Sequence, residues 1–279
     1  MALTINTNLS ALIVQKNLSA ATVSLNSAIE RMTTGYKINH AKDDAAGYSI
    51  AANWTAKISS LDIASENASM GLDMLKTAEE NYSLITEHLQ RVRDLTEQAA
   101  NGTYGADSKA AIKSEITARL SEIDRISATA EFNGIALMSG TGTARTLQVG
   151  IDKTANSKIV LTADLFAGAD STKLLGKAAA VFAADCTTTS ADQLEKIDTA
   201  IKTISTRVTS IGAAQNRVES AISAISVQSE NLTSSLSTIK DADVAQESSS
   251  YIKAQILQQA SATLLATANQ LPSIALNLL

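Results

Sequence analysis

Residues 197–240 decide the fold, and they read IDTAIKTISTRVTSIGAAQNRVESAISAISVQSENLTSSLSTIK. Apolar side chains recur through this stretch at a seven-residue step: Ile197, Ile204, Ile211, Val218, Ile225, Leu232 and Ile239. A second apolar track lies four residues later, at Ile201, Val208, Ile222 and Leu236, and is interrupted by Gln215 and Ser229. Two tracks at this spacing are typical of a coiled-coil seam. At 1.5 Å per residue, the stretch predicts a helix roughly 65 Å long.

A matching seam runs through the N-terminal half. One track comprises Leu61, Ala68, Leu75, Tyr82 and Leu89, and the other comprises Ala64, Ala78, Ile85, Val92 and Ala99, with Gly71 in register. This helix is predicted to end near Asn101-Gly102, a C-cap signal. Another helix is predicted from about Asp107 to a turn at Phe132-Asn133-Gly134, with an apolar face formed by Ile112, Ile116, Leu120 and Ile123.

The pattern changes between the two helical halves. Residues 146–150 and 158–162 alternate like two short strands, so they predict a β-hairpin. From about Phe166 to residue 189 the chain is rich in Ala, Thr, Gly and Asp and has no firm period. We expect an irregular, variable surface segment there, and it contains the single cysteine, Cys186.

These elements predict a mainly α fold. The N- and C-terminal halves would form a long, coiled-coil-like helical bundle, with a small β-hairpin region in the middle. Folding back through the hairpin would pair the long helices antiparallel and bring the two ends of the chain together. We therefore expect three parts: a terminal helical domain of residues 1–42 plus 240–279, a bundle of 43–165 plus 190–239, and the segment 166–189.

The two ends of the chain carry very little charge. Residues 1–15 and 254–279 contain no charged side chain at all, yet both ends keep an apolar helical stripe. The residues predicted to drive self-association are Leu18, Leu25, Ile29, Met32, Leu257, Leu264 and Leu271. Soluble helices normally carry charge on their outer face, so these stripes predict packing against other copies of the chain. Head-to-tail contacts that do not close would generate a helical filament.

Composition excludes several functions. The net charge is −5 without a cluster of basic residues, so nucleic-acid binding is not expected. No run of apolar residues reaches the length of a membrane span, and the N-terminus lacks the basic region of a cleaved signal peptide. His40 and His88 lie 48 residues apart without a Cys or a cluster of acids beside them, and no nucleophile motif or phosphate loop is present. We therefore predict no enzyme activity, no metal and no cofactor.

Several motifs resemble bacterial flagellins. At the N-terminal end they are residues 5–11 (INTNLSA), 27–39 (SAIERMTTGYKIN) and 41–47 (AKDDAAG), and further along 89–95 and 131–134. At the C-terminal end they are 211–217 (IGAAQNR), 239–243 (IKDAD), 254–260 (AQILQQA) and 268–273 (ANQLPS). The resemblance covers about residues 1–165 and 190–279, and large outer domains are lacking between 166 and 190.

The resemblance implies a filament subunit used for swimming motility. The paired termini would form an inner layer around a channel, and the bundle with its hairpin an outer tube. It also implies export to the extracellular flagellum without cleavage. Implied partners are copies of the chain, an export chaperone, the filament cap protein and the hook–filament junction proteins.

Four residues match positions that the vertebrate innate-immune receptor for flagellin recognises: Gln90, Arg91, Leu95 and Glu115. In the heptad register Arg91 and Leu95 lie off the predicted seam, so we expect both to be exposed and available for receptor or inter-subunit contact. Asp43 and Asp44 precede a helical stretch and predict an N-cap.

Three other interpretations remain open at this stage. A hook-associated junction protein shares these end segments. A helical signalling rod would need a membrane anchor, and a membrane-active amphipathic protein would need a C-terminus with fewer Gln and Asn residues.

Overall fold

The computed structural model describes residues 8–138, 140, 142–176 and 190–277, and for residues 190, 191 and 271–277 the backbone alone. The chain divides into two compact units. Unit 1 comprises residues 1–58 and 230–279, and unit 2 comprises residues 59–229. The predicted domain boundaries, after residues 42 and 239, lie close to helix ends, whereas the observed boundaries fall within two long helices.

Unit 1 is built around a pair of antiparallel helices. Helix α1 spans Leu9–Thr34, and α6, the last helix of the chain, spans Val244–Asn277. Polar contacts between them fix the direction. The Asn8 side chain donates to the Ala268 carbonyl at 2.7 Å, and Arg31 pairs with Glu247 at 3.3 Å. The first and last helices therefore lie side by side, as predicted.

A short joint precedes the next helix in each half of unit 1. The Lys37 amide donates to the Lys240 carbonyl, and the Ala242 amide donates to the Gly35 carbonyl, each at 2.8 Å. Helix α2 begins after this joint at Ala45, and the Asp44 carboxylate accepts hydrogen bonds from the Ala46 and Gly47 amides. The predicted N-cap is thereby confirmed for Asp44. Backbone hydrogen bonds from His40 and Asn39 lower the pKa of the neighbouring Asp43.

Three long helices carry the core of unit 2. They are α2 (Ala45–Ala100), α3 (Ala106–Thr129) and α5 (Ser190–Lys240), of which α2 and α5 also extend into unit 1. Every residue of both predicted N-terminal tracks is buried, as are Ile197, Ile204, Ile211, Val218 and Ile225 on α5. Gln215 of α5 donates to Glu79 of α2 at 2.7 Å, and Arg93 pairs with Asp198 at 2.7 Å, so α2 and α5 run antiparallel. The heptad prediction is confirmed.

Two hairpins follow α3. Strands β1 (Glu131–Phe132) and β2 (Ile135–Ala136) are joined by Asn133 and Gly134, both with positive φ as a two-residue hairpin turn requires. Strands β3 (Arg145–Gln148) and β4 (Lys158–Leu161) pair antiparallel close to the predicted positions. Leu147 of β3 lies against Gly71 of α2 so closely that a Cβ at position 71 would collide with it. Glycine at this heptad position lets the Leu147 side chain pack directly against the helix.

The chain after β4 differs from the prediction. Phe166, Ala169 and Leu175 are buried, and residues 171–175 form the short helix α4. The expectation of an irregular surface segment was therefore wrong for residues 166–176. An irregular backbone can point apolar side chains into the core without any fixed period. The absence of a repeat in the sequence therefore did not mean that this segment lies on the surface. Residues 177–189, with Cys186, lie outside the described residues.

Tyr82 connects this loop to the helices. Its ring is fully buried, and its hydroxyl donates to the carbonyls of Leu165 and Ala167 at 3.2 and 2.9 Å. Arg207 of α5 donates to the carbonyls of Ala167 and Gly168, each at 3.2 Å, and lies over the Tyr82 ring. Burial raises the pKa of the Tyr82 phenol, so the neutral, donating form is present at physiological pH.

The Tyr82→Phe variant tests this link. Removing the hydroxyl leaves a buried carbonyl of Leu165 short of a donor, and we expect a loss of about 1–2 kcal/mol of unfolding free energy. Urea denaturation of the monomer, followed by circular dichroism, measures the effect. Tyr104→Phe is the matched control because that partly exposed hydroxyl only accepts a hydrogen bond from Gln98, and its expected change is below about 0.5 kcal/mol. Equal losses in both variants would contradict the role given to Tyr82.

Candidate assembly surface

The contact between α1 and α6 is made by small side chains. The most buried residues on the two helices are Ala21, Ala28, Ala254, Ser261 and Ala268. They repeat at seven-residue steps on each helix, which is the spacing of a coiled-coil seam. Small side chains at a helix contact allow the two helix axes to approach closely. The seam is therefore narrow, and it buries little of the aliphatic surface that these helices carry.

The structure separates the residues predicted to drive self-association into two groups. Leu18 and Leu25 are half-buried beside the alanines of the seam, so they serve the contact between α1 and α6. Ile29, Met32, Leu257 and Leu264 are exposed. The side chain of Leu271 lies outside the described residues. The seven residues thus do not form a single stripe within the subunit.

Leu257 and Leu264 form an open track along α6. They are 49% and 57% exposed, and they are seven residues apart on the flank of the seam. Leu271 continues the same step in sequence. An apolar heptad track without a helix against it is the half of a seam that a second helix would complete.

Further apolar residues on the same two helices were missed by the sequence analysis. Those on α1 are Leu9, Leu12, Ile13 and Val23, and those on α6 are Val244, Ile252 and Ile256, all of them exposed. They fall off the heptad register, so the repeat did not reveal them. The signal that could have found them is the near absence of charge, since the only charged residues are Lys16, Glu30 and Arg31 on α1 and Glu247 and Lys253 on α6.

Exposed aliphatics at this density mark an interaction surface. Single exposed leucines are ordinary on soluble proteins, whereas clustered ones with few charges indicate protein–protein contact. Burying one such side chain contributes roughly 1.5–3 kcal/mol before the costs of association. Here we call the exposed aliphatics of α1 and α6 the assembly surface.

The second predicted site lies in unit 2 and combines α2 with α3. Gln90 and Arg91 are exposed, and Nε of Arg91 pairs with Oε1 of Glu115 at 3.0 Å. Arg119 approaches the same carboxylate at 3.7 Å and His88 Nδ1 at 3.4 Å. The structure therefore pairs two of the four predicted residues, Arg91 and Glu115, in a charged surface cluster, and Gln90 is exposed next to Arg91 in the chain.

The expectation that Leu95 is exposed was wrong. Its side chain is only 2% exposed and belongs to the same hydrophobic cluster as Ile112 and Ile116 of α3. The prediction from the heptad register assumed that α2 has one neighbouring helix, α5. Because α3 packs on a second side of α2, the position next to the α5 seam becomes part of the core.

The described part of the chain contains no group of three or more His, Cys, Asp and Glu side chains placed to hold a metal ion. His40 pairs instead with Glu30 at 2.8 Å. None of the described helices is long and apolar enough to cross a bilayer.

Comparisons with known proteins agree with this arrangement. Residues 5–143 match the bacterial flagellin N-terminal helical region, and residues 194–279 match the bacterial flagellin C-terminal helical region. A flagellin of Halalkalibacterium halodurans is 36% identical, with 99% of each chain covered. Flagellin FlaB1 of Treponema pallidum is 32% identical, with 95% of this chain and 96% of that protein covered.

A solved structure from Vibrio parahaemolyticus, described as a flagellar hook-associated protein, shares the fold. Its TM-score is 0.60 at 15% identity, and the match covers 71% of this chain and 100% of that one. The matched part of this chain thus has a known fold. Given family matches at both ends and relatives aligned along nearly its whole length, this chain belongs to the bacterial flagellin family, as a short-form, non-enzymatic structural subunit of the flagellar filament.

Proposed function

We propose that this subunit polymerises through the assembly surface of α1 and α6 and that the resulting filament serves swimming motility. The observation that carries the proposal is the open track of Leu257 and Leu264 on a helix pair whose own seam is built from alanine and serine. The track of one subunit would pack on the apolar side chains of α1 and α6 in its neighbours. Because the two contacting surfaces differ, the contact repeats without closing and generates a helix of subunits.

The exposed apolar surface of each unit indicates which layer of the filament that unit would occupy. Unit 1 leaves large aliphatics on its surface, which favours a place in the interior of the filament, around the channel. Unit 2 buries most of its large aliphatics in its own core and carries more charge on its surface, which favours the outer tube. In terms of the predicted parts, residues 1–42 plus 240–279 would form the inner layer and 43–165 plus 190–239 the outer one.

The same surface accounts for the helper proteins that we propose. An exposed aliphatic track on a free monomer invites premature association, so an export chaperone would cover it until the chain leaves the cell without cleavage. At the tip of the extracellular filament, the cap protein would guide each new subunit onto its neighbours. The hook–filament junction proteins would offer the first subunits matching helices.

A second proposed role is recognition by the vertebrate innate-immune receptor for flagellin. Arg91 of α2 pairs with Glu115 of α3, and Gln90 is exposed next to Arg91 in the chain. An arginine flanked by a carboxylate and an amide is a good anchor for a protein partner. Leu95 would contribute by holding α3 against α2, and not by touching the receptor.

The double variant Leu257→Gln, Leu264→Gln tests the assembly surface. Glutamine keeps the side-chain length and helix propensity but removes most of the gain from burial, so seeded elongation is expected to slow about tenfold or more. Filament lengths measured by electron microscopy, after incubation of purified monomer with filament fragments, give the rate.

Val227→Gln is the matched control for this experiment. Val227 is 58% exposed on α5 in unit 2 and is not one of the residues of the assembly surface. Its variant is expected to elongate at the wild-type rate, and circular dichroism of all monomers checks that the helices are intact. Normal elongation of the double variant would overturn the proposal.

The Arg91→Ala variant tests receptor recognition. Loss of the guanidinium removes the proposed anchor, and we expect the concentration for half-maximal signalling to rise about tenfold or more in a receptor-reporter assay. Arg125→Ala is the control because Arg125 also lies exposed on unit 2 and also pairs with a glutamate, Glu122. An unchanged response to Arg91→Ala would remove this role.

A further inference from the structure

The outer face of α2 carries two regular tracks of exposed residues, one acidic and one apolar. Acidic residues occur at every seventh position: Glu66, Asp73, Glu80, Glu87 and Asp94. All five are exposed, and we call them the acidic row. At 1.5 Å per residue, successive carboxylates are about 10.5 Å apart along the helix.

The five carboxylates of the acidic row form no ion pair within the described residues, although other acids of unit 2 do, such as Glu115 and Asp198. Asp198 and, to a lesser extent, Asp94 at the end of the row raise the pKa of Arg93. Lys76 lies between Asp73 and Glu80 in sequence, without reaching either. Five like charges along one helix face create a negative potential that attracts a cationic partner.

A line of exposed apolar residues runs beside the acidic row. Ile63, Met70 and Leu84 are separated from one another by seven or fourteen residues, and each lies three positions before a residue of the acidic row. They are 54%, 53% and 47% exposed. Positions three apart are neighbours on a helix surface, so the two tracks together form a strip of mixed apolar and acidic character. This composition is typical of a helix face that another protein covers.

A complementary feature lies elsewhere on unit 2. Lys158 of β4 and Arg217 of α5 line an open cavity of about 580 Å³, together with Asn156, Asn216 and Ser220. We call this set the cationic pocket. In the described chain neither cation forms an ion pair.

An exposed aliphatic side chain lies on the same strand as Lys158. Residues alternate along β4, so that Ile159 and Leu161 are buried whereas Lys158 and Val160 lie exposed on the outward face. A guanidinium and an ammonium group bind carboxylates, and the amide and hydroxyl groups beside them supply further hydrogen bonds. Unit 2 thus offers positive charge in the pocket and, two residues further along β4, the exposed aliphatic Val160, and together they complement the strip on α2.

We propose that the strip on α2 of one subunit docks on the cationic pocket of a second copy of this chain. Carboxylates of the acidic row enter the pocket, and Met70 or Leu84 packs against Val160. The strip and the pocket are different surfaces, so the contact is head-to-tail and repeats along a row of subunits. Charge complementarity of this kind sets the register and speeds association. The proposal rests on the proposed function, because it adds a contact between outer parts of subunits that already assemble through α1 and α6.

Charge reversal on both sides tests the contact. The variant Lys158→Glu, Arg217→Glu places acids against the acidic row, and Asp73→Lys, Glu80→Lys places cations against the cationic pocket. Each is expected to slow seeded elongation about tenfold or more. The chain with all four substitutions restores opposite charges and is expected to elongate within about threefold of wild type.

Lys196→Glu, Lys202→Glu is the matched control. Both lysines are exposed on α5 and lie outside the pocket, so this variant is expected to keep the wild-type rate. Wild-type elongation by either reversed pair, or failure of the four-residue variant to recover, would overturn the proposal. Should a reversal lower the thermal midpoint of the monomer, Lys158→Gln, Arg217→Gln takes its place, with the same expected slowing and the same contradicting result.

The outcome separates this contact from the assembly surface. If Leu257→Gln, Leu264→Gln grows normally, the proposed function fails whatever the charges do. If that variant stops growing while the reversed pairs grow at the wild-type rate, only the docking of the strip on the pocket is wrong.

Discussion

The antiparallel seam between long helices is the interaction on which the rest of the structure depends, and its width differs between the two units. In unit 2 the seam positions hold large side chains such as Leu75, Tyr82 and Ile204, all of them fully buried. In unit 1 they hold Ala21, Ala254 and Ser261. A wide seam buries the aliphatics of its own helices, whereas a narrow one leaves them outside. The same repeat therefore yields a self-sufficient bundle in one unit and an incomplete core in the other.

This difference connects the fold with the role of a filament subunit. A helix pair that buries its own large aliphatic side chains is stable as a monomer. It would gain little further burial of apolar surface from polymerising. The pair of α1 and α6 instead exposes Leu257, Leu264 and their neighbours, whose burial becomes favourable only when other copies are present. The near absence of charge on these helices removes the desolvation cost that would otherwise oppose such packing. On α2, by contrast, the outward face is acidic, so contacts there are expected to select register and direction more than to supply adhesion.

Much of the fold could be predicted from local patterns. The heptad tracks, the strands near residues 146 and 158, the turn at Asn133-Gly134 and the cap at Asp44 all lie close to their predicted places. Each depends on side chains within a few residues of one another or on a strict period. The end of α2 was also predicted, although Gly102 does not adopt the left-handed cap conformation that its sequence suggested.

The errors concern which neighbours an element has. Leu95 was expected on the surface because its heptad position lies outside the α5 seam, but α3 covers it. Phe166 and Leu175 were expected outside because their segment has no period, yet they pack into the core.

The sequence by itself determined the helices, their antiparallel pairing and the apolar character of the two ends, since periodicity and charge are properties of the chain alone. Only the tertiary structure decided which faces of each helix are covered. It buried Leu95, it separated Leu18 and Leu25 from the exposed Leu257 and Leu264, and it joined Arg91 to Glu115. The physical reason is that burial depends on how many elements surround a residue. A repeat along one helix does not show how many other helices will pack against that helix.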